Sequence, residues 1–311
     1  MKERINICLS CDNNYAQHLG VTIASILKNR AEDDEFRFII LDGNISDENK
    51  TKIVSLKSIH DFEIDFEKVD ESLFSNCPIQ DWTHLSIVTY FRLVLPDLRP
   101  DLKRIIYLDC DIVVRQSLRP LFDMEIGNNY IAGVIDVAAK KHAKRLGIEN
   151  YINTGVLLFD VEKWRRDDIT NHIFDWISKN REKIVLHDQD ILNAALDGHI
   201  NFIDEKWNTF YLTRNLPQGS DKMEHACVLH YIDRKKPWNF CNNDKFSKEY
   251  FEYLKLTDWK NFIKSYNLKV VPKSLLIRLA RFIFEIRNLN ENTKQIKILG
   301  LTFTKERKKH S

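Results

Sequence analysis

The sequence lacks the features of several large protein classes. No uninterrupted apolar segment approaches the about 20 residues that a helix needs to cross a bilayer. The first four residues lead directly into a short strand-like run at residues 5–9, so no secretory signal is predicted. Internal repeats and low-complexity segments are missing as well. These absences favour a globular protein over a membrane-spanning, secreted or repetitive one.

The cysteines form no zinc-binding pattern. There are six of them, scattered along the chain. Cys8 and Cys11 make a single C-x-x-C pair, and no second pair stands at the spacing of a zinc site. We therefore predict that the cysteines are strand and loop residues of a protein in the reducing cytosol.

Length and composition predict a sizeable core and an uneven charge. At 311 residues, with 43% hydrophobic and 30% charged residues, the chain could form two domains or one large α/β domain with an appendage. Residues 273–311 hold 10 of the 47 Lys and Arg residues but only 3 of the 45 Asp and Glu residues. The other 272 residues therefore hold 37 basic and 42 acidic residues. An acidic body with a basic tail predicts an anionic surface as partner, and no nucleic acid is expected.

Strand-like and helix-like segments alternate along the chain. Strands are predicted at residues 6–10, 36–41, 62–69, 105–108, 130–136, 156–159 and 227–231. Helices are predicted at residues 15–28, 46–57, 87–95, 161–179 and 187–196. Short connections between alternating strands and helices are typical of a parallel, doubly wound sheet.

Two carboxylates follow one of the predicted buried strands. Residues 105–108 are a continuous apolar run, and Asp109 and Asp111 come next, with one residue between them. Residues two apart on an extended chain project to the same side, so both carboxylates would converge where open α/β sheets bind ligands. Such a pair suits Mg²⁺ or Mn²⁺. By itself Asp-x-Asp is a weak signal, and a solvated turn remains the alternative.

Five short motifs occur in order along the chain. They are Asp12-Asn13-Asn14-Tyr15, Leu108-Asp109-Cys110-Asp111, Asn153-Thr154-Gly155-Val156, Asp188-Gln189-Asp190, and His230-Tyr231 followed by Lys236-Pro237-Trp238. In this combination the chain resembles the retaining glycosyltransferases of family 8, above all the bacterial enzymes that add galactose or glucose to lipo-oligosaccharide and lipopolysaccharide. The resemblance covers about residues 5 to 240. It implies an α/β fold of the GT-A type, a Rossmann-like mixed sheet flanked by helices, here with a C-terminal helical basic tail.

The resemblance also implies a metal site. Asp109, Asp111 and His230 would bind Mn²⁺, with Mg²⁺ as the alternative, and Lys236 would contact the diphosphate of a UDP-sugar donor. Two carboxylates and one imidazole suit Mn²⁺. A histidine at a strand end is otherwise an ordinary core residue, and a loop lysine is otherwise solvated.

The remaining implied site residues would bind the nucleotide and the sugar. The resemblance implies that the nucleotide part of the donor is bound by Ser10, Asp12, Asn14 and Tyr15. It implies that Arg92 and Asp188 contact the diphosphate and the sugar. Asn153 and Gln189 would contact the sugar itself. Asp188 and Gln189 are the implied catalytic residues. The alternatives are an Asx turn at residues 12–15, a helix N-cap at Asp188, a snorkelling arginine at 92 and a turn at residue 153.

One position departs from the family pattern. The family loop usually reads His-Tyr/Phe-x-Gly-x-x-Lys-Pro-Trp, and Asp233 stands here in place of the glycine. An acidic side chain beside a diphosphate puts the closure of this loop and the activity in doubt. A nucleotide-sugar-binding protein with impaired catalysis is therefore an alternative function.

Residues 274–289 predict a basic amphipathic helix. Arg278, Arg281, Glu285 and Asn288 fall on one stripe at helical spacing, and apolar residues cover most of the rest. Such a helix suits an anionic membrane interface, while packing on the catalytic domain or on a partner subunit is the alternative. A short hairpin could follow. The predicted division is a catalytic domain at 1–245, a connecting helical segment at 246–272 and a membrane-associating tail at 273–311.

Together these observations predict a retaining, Mn²⁺-dependent hexosyltransferase at the cytoplasmic face of the membrane. It would use a UDP-hexose to extend a membrane-anchored glycolipid such as lipo-oligosaccharide or lipopolysaccharide. UDP-galactose is the favoured donor and UDP-glucose the alternative, since a single hydroxyl configuration separates the two sugars.

Overall fold

The structure is a computed structural model, which describes residues 3–79, 86–211, 220–232, 234–241, 244–288, 293–299 and 301–306. The strands of the body are β1 (Ile5–Asp12), β2 (Phe36–Gly43), β3 (Glu63–Lys68), β4 (Arg104–Leu108), β5 (Ile112–Val114), β6 (Ile131–Ile135), β7 (Ile152–Asp160), β8 (Ile200–Phe202), β9 (Thr209–Phe210) and β10 (Val228–His230). Its α-helices are α1 (Ala16–Lys28), α2 (Asp47–Val54), α3 (Leu95–Leu98), α4 (Arg119–Phe122), α5 (Lys140–Leu146), α6 (Val161–Arg166), α7 (Ile169–Asn180), α8 (His187–Ala195), α9 (Ser220–Glu224) and α10 (Lys245–Leu254). Short 3₁₀ helices lie at Ser55–Ser58, Glu71–Phe74, Ile87–Val94, Arg181–Lys183 and Glu205–Asn208.

Seven strands form one mixed sheet in the order β3-β2-β1-β4-β7-β6-β8. Strands β3, β2, β1 and β4 are parallel to one another, but β7 runs antiparallel to both β4 and β6. The expectation of an all-parallel sheet is therefore wrong at β7, whereas the mixed sheet is confirmed. The connection from β6 to β7 begins and ends at the same sheet edge, where the Asp136 amide donates to the Tyr151 carbonyl at 2.8 Å. The chain consequently re-enters the sheet in the opposite direction.

Both faces of the main sheet are covered. On β1, Ile7 and Leu9 belong to a buried cluster that includes α1, whereas Cys8 belongs to a second cluster that includes residues of α6, α7 and α8. Consecutive strand residues point to opposite faces, so a strand buried on both sides needs an uninterrupted apolar run. This requirement explains the run of apolar residues in β4, all four of which from Ile105 to Leu108 are buried.

A second, small sheet extends the site. It has the order β5-β10-β9, with β10 antiparallel to β5 and parallel to β9. In this pairing His230 on β10 lies opposite Ile112 on β5, and the Tyr231 amide donates to the Asp111 carbonyl at 3.0 Å. A histidine that is 119 residues from Asp111 in sequence thereby comes to lie beside it.

Two predicted helices differ from the structure. Residues 87–95 form the 3₁₀ helix Ile87–Val94, and Pro96 lies in the first turn of α3, where its missing amide hydrogen costs no helical bond. The predicted helix at 161–179 is two helices, α6 and α7, separated at Asp168, whose φ of 52° is left-handed. A residue in that conformation ends one helix and redirects the chain into the next.

The C-terminal part departs most from the expectation. Helix α11 (Phe262–Ile283) contains Pro272 and so runs across the predicted boundary between residues 272 and 273. The prediction of helix up to residue 289 is wrong, because the chain continues as β11 (Phe284–Asn288), which pairs with β12 (Thr293–Ile298) and through it with β13 (Leu301–Glu306). Within the described residues, no helix has the length and apolar character needed to span a membrane. The predicted division into domains stays a prediction.

Candidate active site

Three potential metal ligands meet at the carboxyl edge of the main sheet. Asp109 directly follows β4, Asp111 directly precedes β5 and His230 ends β10. Their ligand atoms all lie within 4.8 Å of one another. The Nε2 atom of His230 is 3.1 Å from Asp111 Oδ1 and 3.8 Å from Asp109 Oδ2. These three residues are those that the resemblance singled out.

The absence of a side chain at Gly155 keeps this site open. Gly155 lies on β7, which pairs with β4, and its carbonyl accepts a hydrogen bond from the Asp109 amide at 2.8 Å. A Cβ atom at this position would be 2.3 Å from His230 Cε1 and 2.7 Å from Asp109 Oδ2. Two carboxylates and one imidazole held in such a space are a donor set that a divalent cation such as Mn²⁺ fits.

Arg92 links the metal cluster to α8. Its buried guanidinium lies 2.9 Å from Asp109 Oδ1 and 3.2 Å from Asp188 Oδ2, and it lies over the Tyr107 ring at 4.1 Å. Burial alone would lower the pKa of Arg92, but the two carboxylates offset this and hold the pKa above its usual value. Burial also raises the pKa of Asp109, an effect that Arg92 only partly reverses.

Lys236 lies against the other carboxylate. Its ammonium is 2.5 Å from Asp111 Oδ2 and also donates to the Tyr231 carbonyl. Burial would raise the pKa of Asp111, but the positive charge of Lys236 and the neighbouring His230 hold that pKa well below its usual range. The ammonium of Lys236 therefore already lies where it stabilises the negative charge of Asp111.

The Lys-Pro-Trp segment is fixed to helix α1. The Trp238 ring stacks on His18 with 3.9 Å between the ring centroids, and His18 Nδ1 is 2.7 Å from the Tyr250 hydroxyl on α10. Burial lowers the pKa of His18 to about 3, so the imidazole in this stack is neutral at physiological pH. This packing fixes the segment from which Lys236 reaches Asp111.

The residues predicted to bind the nucleotide surround the end of β1. Asp12 Oδ1 accepts a hydrogen bond from the Tyr15 amide at 3.0 Å, so an Asx-type turn is present here. Asn14 and Tyr15 are exposed, and Tyr15 packs edge-on to His18 at 4.9 Å. The carbonyl of Ser10 accepts from the Cys110 thiol at 3.2 Å. Ser10 thus contacts the Asp109–Asp111 turn through Cys110, and the other three residues come shortly after it along the chain.

Helix α8 presents Asp188 and Gln189 from the other side. Asp188 is buried and accepts hydrogen bonds from the hydroxyls of Thr89 at 2.6 Å and Thr154 at 2.9 Å. It lies inside the helix, whose N-cap is Leu186, so the alternative reading of Asp188 as an N-cap is wrong. Gln189 Oε1 accepts from Asn153 Nδ2 at 3.1 Å.

The third residue of that motif is used for structure. Asp190 is fully buried and accepts hydrogen bonds of 2.7 Å from Arg145, from the Tyr151 hydroxyl, and from the Val185 and Leu186 amides. Its carboxylate thus accepts from the backbone amides at the start of α8 and is fully engaged by protein groups.

Sequence reasoning missed several residues that complete the site. Asn208 bonds to both His230 and Asn153, and Thr89 and Thr154 bond to Asp188. Neither Asn208 nor Thr89 belongs to one of the five motifs, and nothing in the local sequence marks them as functional. One residue that the sequence did single out, Asp233, lies outside the described residues.

Comparison with known proteins gives a consistent assignment. A family model described as "Glycosyl transferase family 8" matches residues 6–242. The chain is 30% identical to general stress protein A of Bacillus subtilis (strain 168) over 276 residues, which are 83% of this chain and 96% of that protein. It is 28% identical to a lipopolysaccharide 1,2-glucosyltransferase of Escherichia coli over 300 residues, 88% of this chain and 86% of that protein.

A solved structure shares the architecture. The galactosyltransferase LgtC in complex with donor and acceptor sugar analogues matches with a TM-score of 0.72 and 29% identity, over 82% of this chain and 96% of that one. The predicted GT-A-type fold is thereby confirmed. From β1 to the segment that follows Trp238, this chain belongs to glycosyltransferase family 8.

Proposed function

We propose that this protein transfers a hexose from a UDP-sugar to a glycolipid of the lipopolysaccharide type, with a divalent cation and with retention of the anomeric configuration. The observation that carries the proposal is the meeting of Asp109, Asp111 and His230 with Asn153 and Gln189 at one sheet edge. Galactose is the favoured sugar and glucose the alternative. Relatives named for each of the two sugars are similar to this chain.

The first step is binding of the donor diphosphate. A divalent cation held by Asp109, Asp111 and His230 would supply positive charge to the departing diphosphate. Lys236 adds a second positive charge at the same place, because its ammonium already lies within 2.5 Å of Asp111. A charge-assisted hydrogen bond from lysine to phosphate oxygen is stronger than a neutral one.

The nucleotide would bind beside this charge. Asp12 ends β1 and Asn14 and Tyr15 follow it, and both Asn14 and Tyr15 are exposed enough to contact a ligand. Ser10 lies next to them on the strand. An Asx turn and a ligand contact can coexist, since Asp12 has a second carboxylate oxygen available beyond its bond to the Tyr15 amide.

The sugar would lie against the hydrogen-bonded pair of Asn153 and Gln189. Asp188 would contact it from α8, held in place by Arg92 and the two threonine hydroxyls. Within the described residues, the two carboxylates flanking Gln189 are both engaged by protein groups. We therefore infer a substitution on the face from which the diphosphate departs, with the Gln189 amide oxygen next to the anomeric carbon.

The decisive experiment measures donor turnover and product configuration. Purified protein is incubated with single UDP-sugars and membrane glycolipid fractions, with Mn²⁺ or with a chelator. We expect transfer only with metal, and an anomeric carbon of unchanged configuration by NMR. Donor binding without turnover under every condition would favour the binding protein with impaired catalysis.

Asp233 provides a test of that second candidate. If its carboxylate lies near the diphosphate, like charges oppose donor binding, and Asp233→Gly should tighten UDP-sugar affinity. The affinity is measured by calorimetry in Mn²⁺, at low and high salt, because screening should weaken the effect. Equal or weaker affinity in the variant would mean that the side chain points away from the donor.

The C-terminal part carries the surface that would face the acceptor. Helix α11 exposes Leu268, Leu275, Leu276 and Leu279 on one side, with exposed fractions between 56% and 78%. Lys269 and Lys273 are exposed on the same helix, and residues 273–311 hold 10 basic against 3 acidic residues. We propose that this surface binds the anionic lipids of the cytoplasmic leaflet, near the glycolipid acceptor.

Charged substitutions in this apolar stripe should release the protein from vesicles. Leu276→Glu combined with Leu279→Glu puts two negative charges in the proposed interface, so sedimentation with phosphatidylglycerol vesicles should fall sharply. Metal-dependent hydrolysis of free donor should stay unchanged, because these leucines lie outside the site. Leu73→Glu, at a residue 49% exposed on the body, is the matched control and should bind vesicles as the parent does. Unchanged vesicle binding by the α11 variant would place the membrane contact elsewhere.

A further inference from the structure

A chain of side-chain hydrogen bonds crosses the candidate site. His230 Nδ1 is 2.9 Å from Asn208 Oδ1, Asn208 Nδ2 is 2.8 Å from Asn153 Oδ1, and Asn153 Nδ2 is 3.1 Å from Gln189 Oε1. Asn208, at the end of the 3₁₀ helix Glu205–Asn208, is only 1% exposed. It is therefore a buried amide whose two polar atoms both face functional groups.

The direction of this chain is fixed by the backbone. The amide of Gly155 donates to Asn153 Oδ1 at 3.0 Å, and a backbone N–H can only donate. The Asn153 atom in that bond must therefore be the oxygen. Since the same oxygen lies 2.8 Å from Asn208, the facing Asn208 atom must be the amide nitrogen. This argument removes the usual ambiguity of asparagine orientation at the site.

The consequence for His230 is a single tautomer. With its nitrogen turned to Asn153, Asn208 presents its oxygen to His230 Nδ1, which must then carry the hydrogen. The other ring nitrogen, Nε2, faces the two carboxylates, at 3.1 Å from Asp111 Oδ1, which is hydrogen-bond distance, and at 3.8 Å from Asp109 Oδ2. A metal ion binds the lone pair of one imidazole nitrogen, and with the hydrogen held on Nδ1 that nitrogen can only be Nε2.

The consequence for Gln189 is a fixed amide. Once its oxygen is assigned, Asn153 can only donate to Gln189, so Gln189 presents Oε1 rather than Nε2 on this side. The Thr154 amide approaches the same oxygen at 3.4 Å. The orientation of the proposed catalytic amide is thus set through Asn153 by the residue that also orients the metal-binding histidine.

We infer that Asn208 is a positioning residue that holds His230 in its metal-binding tautomer and, through Asn153, orients Gln189. This inference rests on the proposed function and goes beyond it, because Asn208 touches neither the cation nor the sugar. Outer partners of metal-binding histidines typically change metal affinity by 10- to 100-fold when they are removed, and we expect an effect of about that size.

Two substitutions separate the two tasks of Asn208. Asn208→Ala removes the acceptor for His230 and the donor for Asn153, so Mn²⁺ binding, measured by electron paramagnetic resonance without donor, should weaken about 10- to 100-fold. Asn208→Asp keeps an acceptor for His230 and loses the donor, so its Mn²⁺ affinity should stay close to that of the parent. Transfer to acceptor should fall in both variants, since Asn153 loses its partner in both.

A buried asparagine away from the site serves as control. Asn6 is 2% exposed and donates to the Arg104 carbonyl at 3.1 Å, so Asn6→Ala removes a comparable buried amide. It should leave Mn²⁺ affinity unchanged. If Asn208→Ala binds Mn²⁺ as the parent does, or if Asn208→Asp is weakened as much as Asn208→Ala, the inference is wrong.

A measurement on the unmodified protein remains decisive even if Asn208→Ala fails to fold. Nitrogen-15 NMR of the metal-free parent should show His230 with a hydrogen on Nδ1, and not on Nε2 alone. The opposite tautomer would overturn the inference. A parent that shows this tautomer but binds no Mn²⁺ would overturn the proposed metal site while leaving the orienting role of Asn208 in place.

Discussion

Replacing Asp111 by Asn is expected to abolish Mn²⁺-dependent binding of UDP while leaving the fold intact. The substitution exchanges a charged oxygen for a neutral amide at a site with three candidate protein ligands among the described residues. We expect the affinity for Mn²⁺ to fall by more than the 10- to 100-fold typical of an outer partner, hence by over about 100-fold. Calorimetry with UDP, with Mn²⁺ and with a chelator, measures the effect.

The control variant should remove a carboxylate that lies outside the candidate metal site. Asp65 pairs with Arg99 at 2.7 Å in a different region, so Asp65→Asn should keep metal-dependent binding. Asp111→Asn also leaves Lys236 without its carboxylate partner but relieves repulsion with Asp109, so circular dichroism should show a native spectrum. Equal Mn²⁺ affinity in Asp111→Asn and parent would refute the assignment.

The position of Asp109 and Asp111 could be predicted because it depends on local geometry. A buried apolar strand followed by two acids two residues apart fixes both the sheet edge and the side to which they point. His230 is different, since nothing near it in sequence predicts a neighbour 119 residues away. It was identified only through its motif with Lys236 and Trp238. The pairing of β10 with β5 is what brings it to the site.

The direction of β7 could not be predicted from alternation alone. Strands and helices alternate up to β4, and that pattern is typical of parallel sheets. The reversal at β7 is a property of the connection from β6, which stays at one sheet edge. Because β7 starts at that edge, Asn153 and Gly155 lie beside the candidate metal ligands Asp109 and His230.

The role of Asn208 and the presence of a C-terminal sheet could not be predicted from the sequence, for two different reasons. A single buried asparagine has no periodicity, and its role depends on partners from two other strands. In the tail, the apolar and basic residues fit a helical stripe up to residue 289, but from Phe284 onward the same residues pair with β12. Tertiary and sheet contacts override local propensity in such segments.

Arginine side chains neutralise the carboxylates on and beside α8, which decides whether either carboxylate of α8 could act as a nucleophile. Arg92 lies between Asp109 and Asp188, and Arg145 pairs with Asp190. Each carboxylate on α8 therefore has a cationic partner and further hydrogen bonds. A covalent intermediate of the kind used by many retaining enzymes needs a carboxylate free to attack the anomeric carbon. Neither Asp188 nor Asp190 meets that condition in this structure.

Gln189→Ala should consequently keep measurable transfer and still give the retained product. Gln189 would stabilise positive charge at the anomeric carbon through its carbonyl dipole, while a diphosphate oxygen takes the acceptor proton. Loss of one preorganised dipole typically lowers the rate by about 10² to 10³, whereas loss of a true nucleophile costs far more. The measurement is the transfer rate, together with the anomeric configuration of the product by NMR.

Gln116→Ala is the matched control, because this glutamine accepts from the Cys227 thiol at 3.4 Å and belongs to none of the site contacts. It should transfer at the parental rate. An inverted product, or a glycosyl adduct on Gln189 or Asp188 detected by mass spectrometry in the parent, would contradict same-face substitution. If Gln189→Ala gives a retained product at a rate reduced by about 10² to 10³, the diphosphate, and not a protein carboxylate, directs the acceptor. The acceptor then attacks on the face from which the diphosphate departs.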